Sequence, residues 1–133
     1  MTNIDVTQNT LLNNINVSSN QLTFVMADDQ DVLWVSTVNG GVNYLNLDGV
    51  PFTHVGTMHE GGLSHPVIRA IFEDKDQNLW IGTDGGGLNL RLYGSNSFIH
   101  YTSGSGAFDF KSNVVLAIAQ DHGGNIWIGT YGK

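Results

Sequence analysis

The sequence has no cysteine among its 133 residues. This absence excludes a disulfide framework and any metal site that depends on thiolate ligands. It does not distinguish a reducing cytosol from an oxidising exterior, because a chain without thiols is compatible with both. The redox compartment of the protein therefore stays open.

Basic residues are also scarce. Five lysines and arginines stand against twelve aspartates and glutamates, which gives a formal net charge of -7. Nucleic acids and anionic membrane surfaces both attract proteins that concentrate positive charge. We therefore expect neither nucleic acid nor a membrane surface among the partners of this chain.

Long apolar runs are missing as well. The longest, VVLAIA at 114–119, is far shorter than the roughly 20 residues that a membrane helix needs. The first 19 residues contain no basic stretch leading into an apolar run, so no secretory signal is predicted in this chain. On these grounds alone the chain is expected to be cytoplasmic or a piece of a larger protein.

What the sequence does contain is a repeat. Three tryptophans recur at spacings of 46 and 47 residues, and an aspartate stands six positions before each of them. The pairs are Asp28 with Trp34, Asp74 with Trp80, and Asp121 with Trp127. Such self-similarity at a fixed period is the sequence signature of repeat architectures.

Each repeat is predicted to form four short strands. In the second unit the strands are VIRAIFED, LWIGT, LNLRLY and FIHYT, and the turns between them are DKDQN, DGGG and GSNS. Apolar residues alternate or run continuously, so no helix is predicted. A period in the mid-forties with four strands is typical of a β-propeller blade, in which large aromatic side chains fill the space between neighbouring sheets.

The predicted fold is therefore all-β, with an incomplete set of about three blades of four antiparallel strands. Residues 1–19 are assigned to an outer strand of a preceding blade plus a linker, 20–65 to blade one, 66–112 to blade two, and 113–133 to the first two strands of blade three. Closed propellers use typically four to eight blades. We therefore expect either a fragment of a longer protein or copies that assemble a ring, with self-association through open strand edges in both cases.

Two stretches resemble a known family. They are IRAIFEDKDQNLWIGTDGGGL and the pattern N-x-V-x-x-I-x-x-D-x-x-G-N-I-W-I-G-T-Y-G, which runs from Asn113 to Gly132. Both are similar to the two-component regulator propeller repeat. The resemblance implies a parent receptor in bacteria whose extracytoplasmic propeller, periplasmic or extracellular, responds to a cue such as a carbohydrate fragment. It transfers no shared catalytic residue.

Several local motifs are better explained by turns than by chemistry. DGGG at 84–87 joins two strands, so no helix N-terminus is present to bind a phosphate. DKDQN at 74–78 lacks the glycine and the downstream glutamate of a calcium loop, and an aspartate capping turn amides explains it better. Neither a cofactor nor a metal ion is predicted.

The segment HEGGLSH at 59–65 is the richest stretch outside the repeat pattern. Its two histidines miss the spacing of the metalloprotease motif, and its adjacent glycines disfavour a helix. We expect a solvated loop, with a zinc site as the alternative.

The candidate ligand site lies on what we call the loop face, where the blade-to-blade loops and the loops between second and third strands meet. Arg69 lies on the innermost strand, where the equivalent residues are Thr23 and Leu116. It is expected to hold an anionic group in the central channel, to pair with Glu60 or Asp84, or to lie along the blade interface with its stem buried. The other residues expected on this face are Asn39, His59, Glu60, His65, Asp84, Asp109, Lys111 and Tyr131.

The favoured function is a non-catalytic module that senses a ligand or binds a partner. One rival is an enzyme on the same scaffold, such as a streptogramin-lyase-like lyase or a glycosidase, for which His59 and His65 are the starting points. Another is a purely architectural propeller that docks proteins. By contrast, His54 and His100 recur at one repeat position, which indicates a structural role.

Overall fold

The structure, a computed structural model, describes residues 18, 21–46, 53–57, 60–106 and 110–132. Every regular element in these ranges is a β-strand, so the all-β prediction is confirmed. Within the same ranges no helix is long and apolar enough to cross a bilayer. The predicted outer strand within residues 1–19 lies outside the described residues, apart from Ser18.

The strands form three antiparallel sheets. The first sheet has the order β1-β2-β3-β4, with strands Leu22–Ala27, Val32–Thr37, Gly41–Asn46 and Thr53–Val55. The second has the order β5-β6-β7-β8, with strands Ile68–Glu73, Leu79–Thr83, Leu88–Arg91 and Ile99–Tyr101. The third pairs β9, Val115–Gln120, with β10, Ile126–Thr130. We call these sheets blade one, blade two and blade three.

The third strand of blade two is shorter than predicted. The sequence LNLRLY predicts a strand to Tyr93, whereas β7 ends at Arg91. The chain turns immediately afterwards, where the Ser95 amide donates to the Leu92 carbonyl at 2.9 Å and Gly94 adopts a φ of 76°. A positive φ is readily available to glycine, which places the turn here.

Each blade contains a hydrogen-bonded unit that we call the Asp–Trp bracket, formed by Asp28–Trp34, Asp74–Trp80 and Asp121–Trp127. In blade two, Oδ1 of Asp74 accepts the turn amides of Asp76 at 3.0 Å and Asn78 at 2.8 Å. Its other oxygen, Oδ2, accepts the indole N–H of Trp80 at 2.7 Å. One carboxylate thus fixes both the turn and the orientation of the large side chain on the next strand.

The other two brackets have the same geometry. The indole N–H donates to Asp28 over 2.8 Å in blade one and to Asp121 over 3.0 Å in blade three. Hydrogen bonds from the Asn125 side chain and from the Trp127 indole lower the pKa of Asp121 to about 2. The recurrence of aspartate in the sequence therefore has a direct physical cause.

The bracketed tryptophans carry the packing between blades. Trp34 of blade one is buried against Ile68, Ile71 and Phe98 of blade two. Trp80 in turn packs with Val115 of blade three. Trp34 and Trp80 therefore each pack against the blade that follows in sequence, and burial of such large side chains contributes strongly to core stability.

Blades two and three approach closely at Gly82. A Cβ atom at this position would lie 2.7 Å from Cγ1 and 2.8 Å from the carbonyl oxygen of Val115. In blade one the equivalent residue is Ser36, whose hydroxyl lies 2.7 Å from that of Thr23. Thr23 also donates to the Ile68 carbonyl of blade two at 3.3 Å. Hydrogen bonding thus takes the place of bare backbone contact between the first two blades.

In blades one and two, the loop that precedes the blade is held by a buried asparagine on the third strand. Asn89 accepts the Ser64 amide and donates to the Ser64 hydroxyl, both over 2.8 Å. Asn43 makes the same two contacts with Ser18, over 3.2 and 3.0 Å. Both asparagines are fully buried, so these pairs satisfy polar groups that would otherwise be costly to bury.

The solvated loop expected at 59–65 is wrong for residues 62–63, which are buried, whereas Glu60 is exposed as expected. Leu63 is buried in the core between blades one and two, and Ser64 is bonded to Asn89. The carbonyl of Gly62 accepts a hydrogen bond from His100 over 2.6 Å. The paired asparagine and histidine draw this loop onto the blade, which the local composition of the loop did not reveal.

We predict that Asp74→Asn lowers the free energy of unfolding by about 1–3 kcal/mol, because an amide group cannot accept hydrogen bonds at both former oxygens. Burial raises the pKa of Asp74, but hydrogen bonds from Trp80 and Asn78 more than offset this and leave it lowered. The charged form therefore stabilises the fold above pH of about 4, and this contribution is lost as the pH falls through the folded pKa.

Urea denaturation at several pH values measures both effects. Asp76→Asn is the matched control, because this side chain is exposed in the same turn and forms no bracket. Equal destabilisation by the two variants at neutral pH would contradict the role of the bracket.

Candidate functional site

The innermost strand of each blade carries a β-bulge at the same repeat position. The register with the second strand shifts between Leu22 and Phe24, between Ile68 and Ala70, and opposite Gly129 and Thr130. A bulge leaves one residue unpaired and changes the direction of its side chain. The bulged residues are Thr23, Arg69 and Leu116.

A second set of equivalent positions lies beside the bulges on the loop face. Val38, Asp84 and Tyr131 each follow the second strand of their blade. Each donates its backbone N–H over 2.9 Å to the carbonyl oxygen of the residue that precedes the first strand. This hydrogen bond extends the pairing of the two strands by one residue. This pairing holds Asp84 beside the bulge at Arg69.

Arg69 and Asp84 form an ion pair. Both Nε and Nη2 of Arg69 donate to Oδ2 of Asp84, and the Nε contact measures 3.0 Å. Of the two partners proposed for Arg69 from the sequence, the structure selects Asp84 rather than Glu60. Both side chains are partly exposed, and exposed ion pairs contribute little to stability, so the guanidinium can exchange this partner at small cost.

The other candidate residues are dispersed over the loop face. Nδ1 of His65 accepts the Val67 amide over 3.2 Å, and its Cβ lies 2.6 Å from where a Cβ on Gly86 would be. His65 therefore adjoins the turn that contains Asp84. Asn39 is exposed with a φ of 58°, and Glu60 and Tyr131 are also exposed. His59 and Asp109 lie outside the described residues.

No group of three or more His, Asp or Glu side chains suited to a metal ion occurs in the part of the chain that the structure describes. The loop face presents instead the ion pair of Arg69 with Asp84, beside the backbone hydrogen bonds that extend the strand pairing. Chemically, this arrangement can hold an anionic group by charge-assisted hydrogen bonds.

A cleft of about 330 Å³ lies at the opposite strand ends, between the turns of blades one and two. Arg91 enters it from β7 and stacks its guanidinium 4.8 Å from the ring centre of Trp34. Burial lowers the pKa of Arg91, and the nearby charges of Asp28 and Glu73 oppose that shift. The stacked cation thus joins blade two to the bracket of blade one. A cation–π contact of this kind contributes about 0.5–1 kcal/mol at an exposed site.

Glu73 lies in the same cleft, at the end of β5. Burial and the charge of Asp28 raise its pKa, while a hydrogen bond from the backbone of Asp29 lowers it in part. The equivalent residue in blade three is Gln120, whose Oε1 accepts the Lys75 amide over 2.9 Å. A side chain at this position thus contacts the turn of the preceding blade. It is charged between blades one and two and uncharged between blades two and three.

The sequence contains a signal for these cleft residues. Arg91 occupies the repeat position of Leu45, and Glu73 occupies that of Ala27 and Gln120. Both are charged exceptions at otherwise uncharged positions. The same reasoning singled out Arg69, and its extension along the repeat would have identified the cleft.

The sequence model of a family described as two component regulator propeller matches residues 62–85 and 109–132. Each match contains a complete bracket, Asp74–Trp80 or Asp121–Trp127. The resemblance inferred from the sequence is therefore confirmed. No curated protein has significant sequence similarity to the chain.

Solved structures share the fold. One is described as the extracellular domain of a hybrid two-component system from B. thetaiotaomicron, with a TM-score of 0.72, 30% identity, and coverage of 88% of this chain and 15% of that chain. Another is the extracellular domain of a one-component system from the same organism. It has a TM-score of 0.68 and 29% identity, and the match covers 84% of this chain and 15% of that chain. This chain thus spans about 15% of the length of those structures.

A third structure, PorZ, is a surface component of the type-IX secretion system of Porphyromonas gingivalis. It has a TM-score of 0.66 and 22% identity, and the match covers 83% of this chain and 16% of that one. At this identity the likeness shows the fold alone.

We predict that Glu73→Gln raises the free energy of unfolding at pH 7 by no more than about 1 kcal/mol, as expected of a partly exposed charge. Because the folded-state pKa of Glu73 is raised, its protonated form stabilises the fold below the unfolded value of about 4.3, and this is lost as the pH rises through the folded pKa. The gain in the free energy of unfolding from Glu73→Gln should therefore nearly vanish at pH 4.

Thermal unfolding at pH 4 and pH 7 measures this difference. Glu60→Gln is the control, because Glu60 is the other glutamate of the chain and is exposed. A gain of the same size for both variants would show that overall charge, rather than the joint between blades, is responsible.

Proposed function

We propose, from the two-component regulator propeller repeats that this chain carries, that it is a ligand-sensing segment of the extracytoplasmic propeller of a signalling receptor. Two similar structures are extracellular domains of such signalling systems, which supports a location outside the cytoplasm for the parent protein. The chain covers a small share of their length, so the output domain and the ligand belong to the proposal as well.

One observation carries this proposal: the exposed guanidinium of Arg69 on the bulge of the innermost strand, where the equivalent residues are Thr23 and Leu116. The position is not required to be cationic by the repeat, since the other blades fold with a hydroxyl or an alkyl group there. A group that occurs once on a repeated scaffold is a better candidate for binding than for packing.

The chemistry of Arg69 defines the ligand class. A planar guanidinium binds carboxylate or sulfate through two parallel hydrogen bonds. We propose a small extracellular ligand with such an anionic group, with an acidic carbohydrate as the leading case. The ligand would replace Asp84 as the partner of Arg69, and His65 and Tyr131 offer further contacts on the same face.

Two features support a role without catalysis. Nδ1 of His65 is already engaged by the Val67 amide, and the three recurrent aspartates are engaged by turn amides and indoles. The lyase or glycosidase hypothesis depended on His59 and His65, so the described histidine lends it no support. The chain is accordingly proposed to report a ligand rather than transform it.

We predict that the chain binds glucuronate more tightly than glucose, since the two sugars differ by the carboxylate that Arg69 would hold. Arg69→Ala should weaken glucuronate binding about tenfold or more, as expected when a charge-assisted hydrogen bond of about 1.5–3 kcal/mol is lost. Asp84→Asn should strengthen it, because this change releases the guanidinium from its competing partner.

Chemical-shift titration with each sugar measures these affinities. Lys75→Ala is the control, because it removes an exposed cation in the β5–β6 turn at the opposite strand ends. Equal affinity for the two sugars, or an affinity that Arg69→Ala leaves unchanged, would overturn the assignment of Arg69. Turnover of a saccharide would overturn the non-catalytic role.

A further inference from the structure

The cleft between blades one and two has the size of a small-molecule site. Its volume of about 330 Å³ lies within the range of roughly 300–1,000 Å³ that is usual for such sites. Its walls come from the β1–β2 turn of blade one and from the β5–β6 and β7–β8 turns of blade two. The cleft is therefore a feature of the joint between two complete blades.

Arg91 brings a cation into this cleft without a carboxylate partner. Among the described residues, the one ion pair joins Arg69 with Asp84. The guanidinium of Arg91 lies instead over two rings, 4.8 Å from the centre of Trp34 and 6.0 Å from that of Phe98. Stacking uses the face of a guanidinium and leaves its five in-plane N–H groups as donors. The cleft thus contains donors suited to a carboxylate.

Glu73 brings a carboxylate into the same cleft. It accepts a hydrogen bond from the backbone of Asp29, whereas a carboxylate offers about four acceptor sites. Burial and the charge of Asp28 raise the pKa of Glu73, and burial lowers the pKa of Arg91. The charged form of each residue is therefore disfavoured, and a ligand group of opposite charge would stabilise it.

Packing between the blades does not require the charge of Glu73. The equivalent residue in blade three is the uncharged Gln120, which accepts the amide of Lys75 over 2.9 Å. The hydrogen bond from Asp29 to Glu73 is the same contact one blade earlier. A neutral side chain therefore suffices for the contact, and the negative charge is an exception that the repeat itself does not explain.

One wall of the cleft is apolar. Leu92 and Tyr93 line it and are 46% and 64% exposed, beside the buried Leu79. Exposed side chains of this kind gain stability when an apolar group of a ligand covers them. A cation, a carboxylate and an apolar wall thus line one cleft.

We propose that this cleft is a second ligand site and that it binds a free α-amino acid with an apolar or aromatic side chain. The α-carboxylate accepts N–H groups of Arg91, the α-ammonium donates to Glu73, and the side chain packs on Leu92 and Tyr93. Such a zwitterion compensates both charges at once, whereas a neutral sugar compensates neither. The cleft lies at the opposite strand ends from Arg69, so this proposal is independent of the anion site on the loop face.

Calorimetric titration of the 133-residue chain at pH 7 tests the ligand class. L-Phenylalanine should bind about tenfold or more tightly than N-acetyl-L-phenylalanine, which lacks the ammonium, and than L-phenylalaninamide, which lacks the carboxylate. It should also bind more tightly than glucose. Equal affinity for phenylalanine and either derivative would reduce the cleft to a simple anion or cation site and overturn the proposal, as would a preference for glucose.

Two variants assign the charges to their residues. Glu73→Gln should weaken phenylalanine binding about tenfold or more and leave N-acetylphenylalanine binding unchanged. Arg91→Gln should weaken phenylalanine binding to a similar extent and leave phenylalaninamide binding unchanged. Asp76→Asn is the matched control, because Asp76 is an exposed carboxylate of the β5–β6 turn outside the cleft lining, and this variant should bind phenylalanine as the wild type does.

Arg91 also contacts Trp34, so circular dichroism must show that its variant is folded. If Arg91→Gln does not fold, Arg91→Lys gives the same comparison with a smaller expected loss, because lysine keeps the charge but not the planar donor fork. A folded Arg91 variant, or a Glu73→Gln variant, that binds phenylalanine as tightly as the wild type would overturn the proposal.

The indole N–H signals in NMR spectra locate the site. The indole of Trp34 lies beneath Arg91 and donates to Asp28 in the cleft lining, so its signal should shift when phenylalanine is added. The indole of Trp127 belongs to blade three and serves as the reference that should not move. A shift at Trp127 without one at Trp34 would place binding elsewhere and contradict the assignment of the cleft.

Discussion

The Asp–Trp bracket is the contact on which the architecture depends. One carboxylate accepts turn amides through one oxygen and an indole N–H through the other, as in Asp74 with Trp80. The bracket therefore converts a local turn into a fixed direction for the largest side chain of the blade. Because that side chain is buried by the following blade, the same contact connects the fold of one sheet to the stacking of sheets.

Much of this fold could be predicted from the sequence, because its signals are periodic. The tryptophan spacing, the alternating strands and the turn residues identify blades without any knowledge of contacts. The role of aspartate was predicted in part: a turn cap was expected, but the bond to the indole joins residues six apart across a hairpin. The buried pair of Asn89 with Ser64 joins residues 25 apart, and no local pattern indicates it.

The candidate sites were predictable where a residue departs from its repeat position. Arg69 stood out against Thr23 and Leu116, but its choice of Asp84 over Glu60 depends on the bulge and on the backbone pairing beside it. Arg91 and Glu73 stand out in the same way and were missed. The repeated positions build the scaffold, and the exceptions to the repeat are the candidates for binding at both ends of the strands.

Because Trp34 and Trp80 each pack on the blade that follows in sequence, the stack has a direction along the chain. A blade can complete its own hydrogen bonds without a neighbour, as the bracket of blade three shows, but its indole stays in water until another surface covers it. Each blade added to the stack therefore buries the indole of the blade before it.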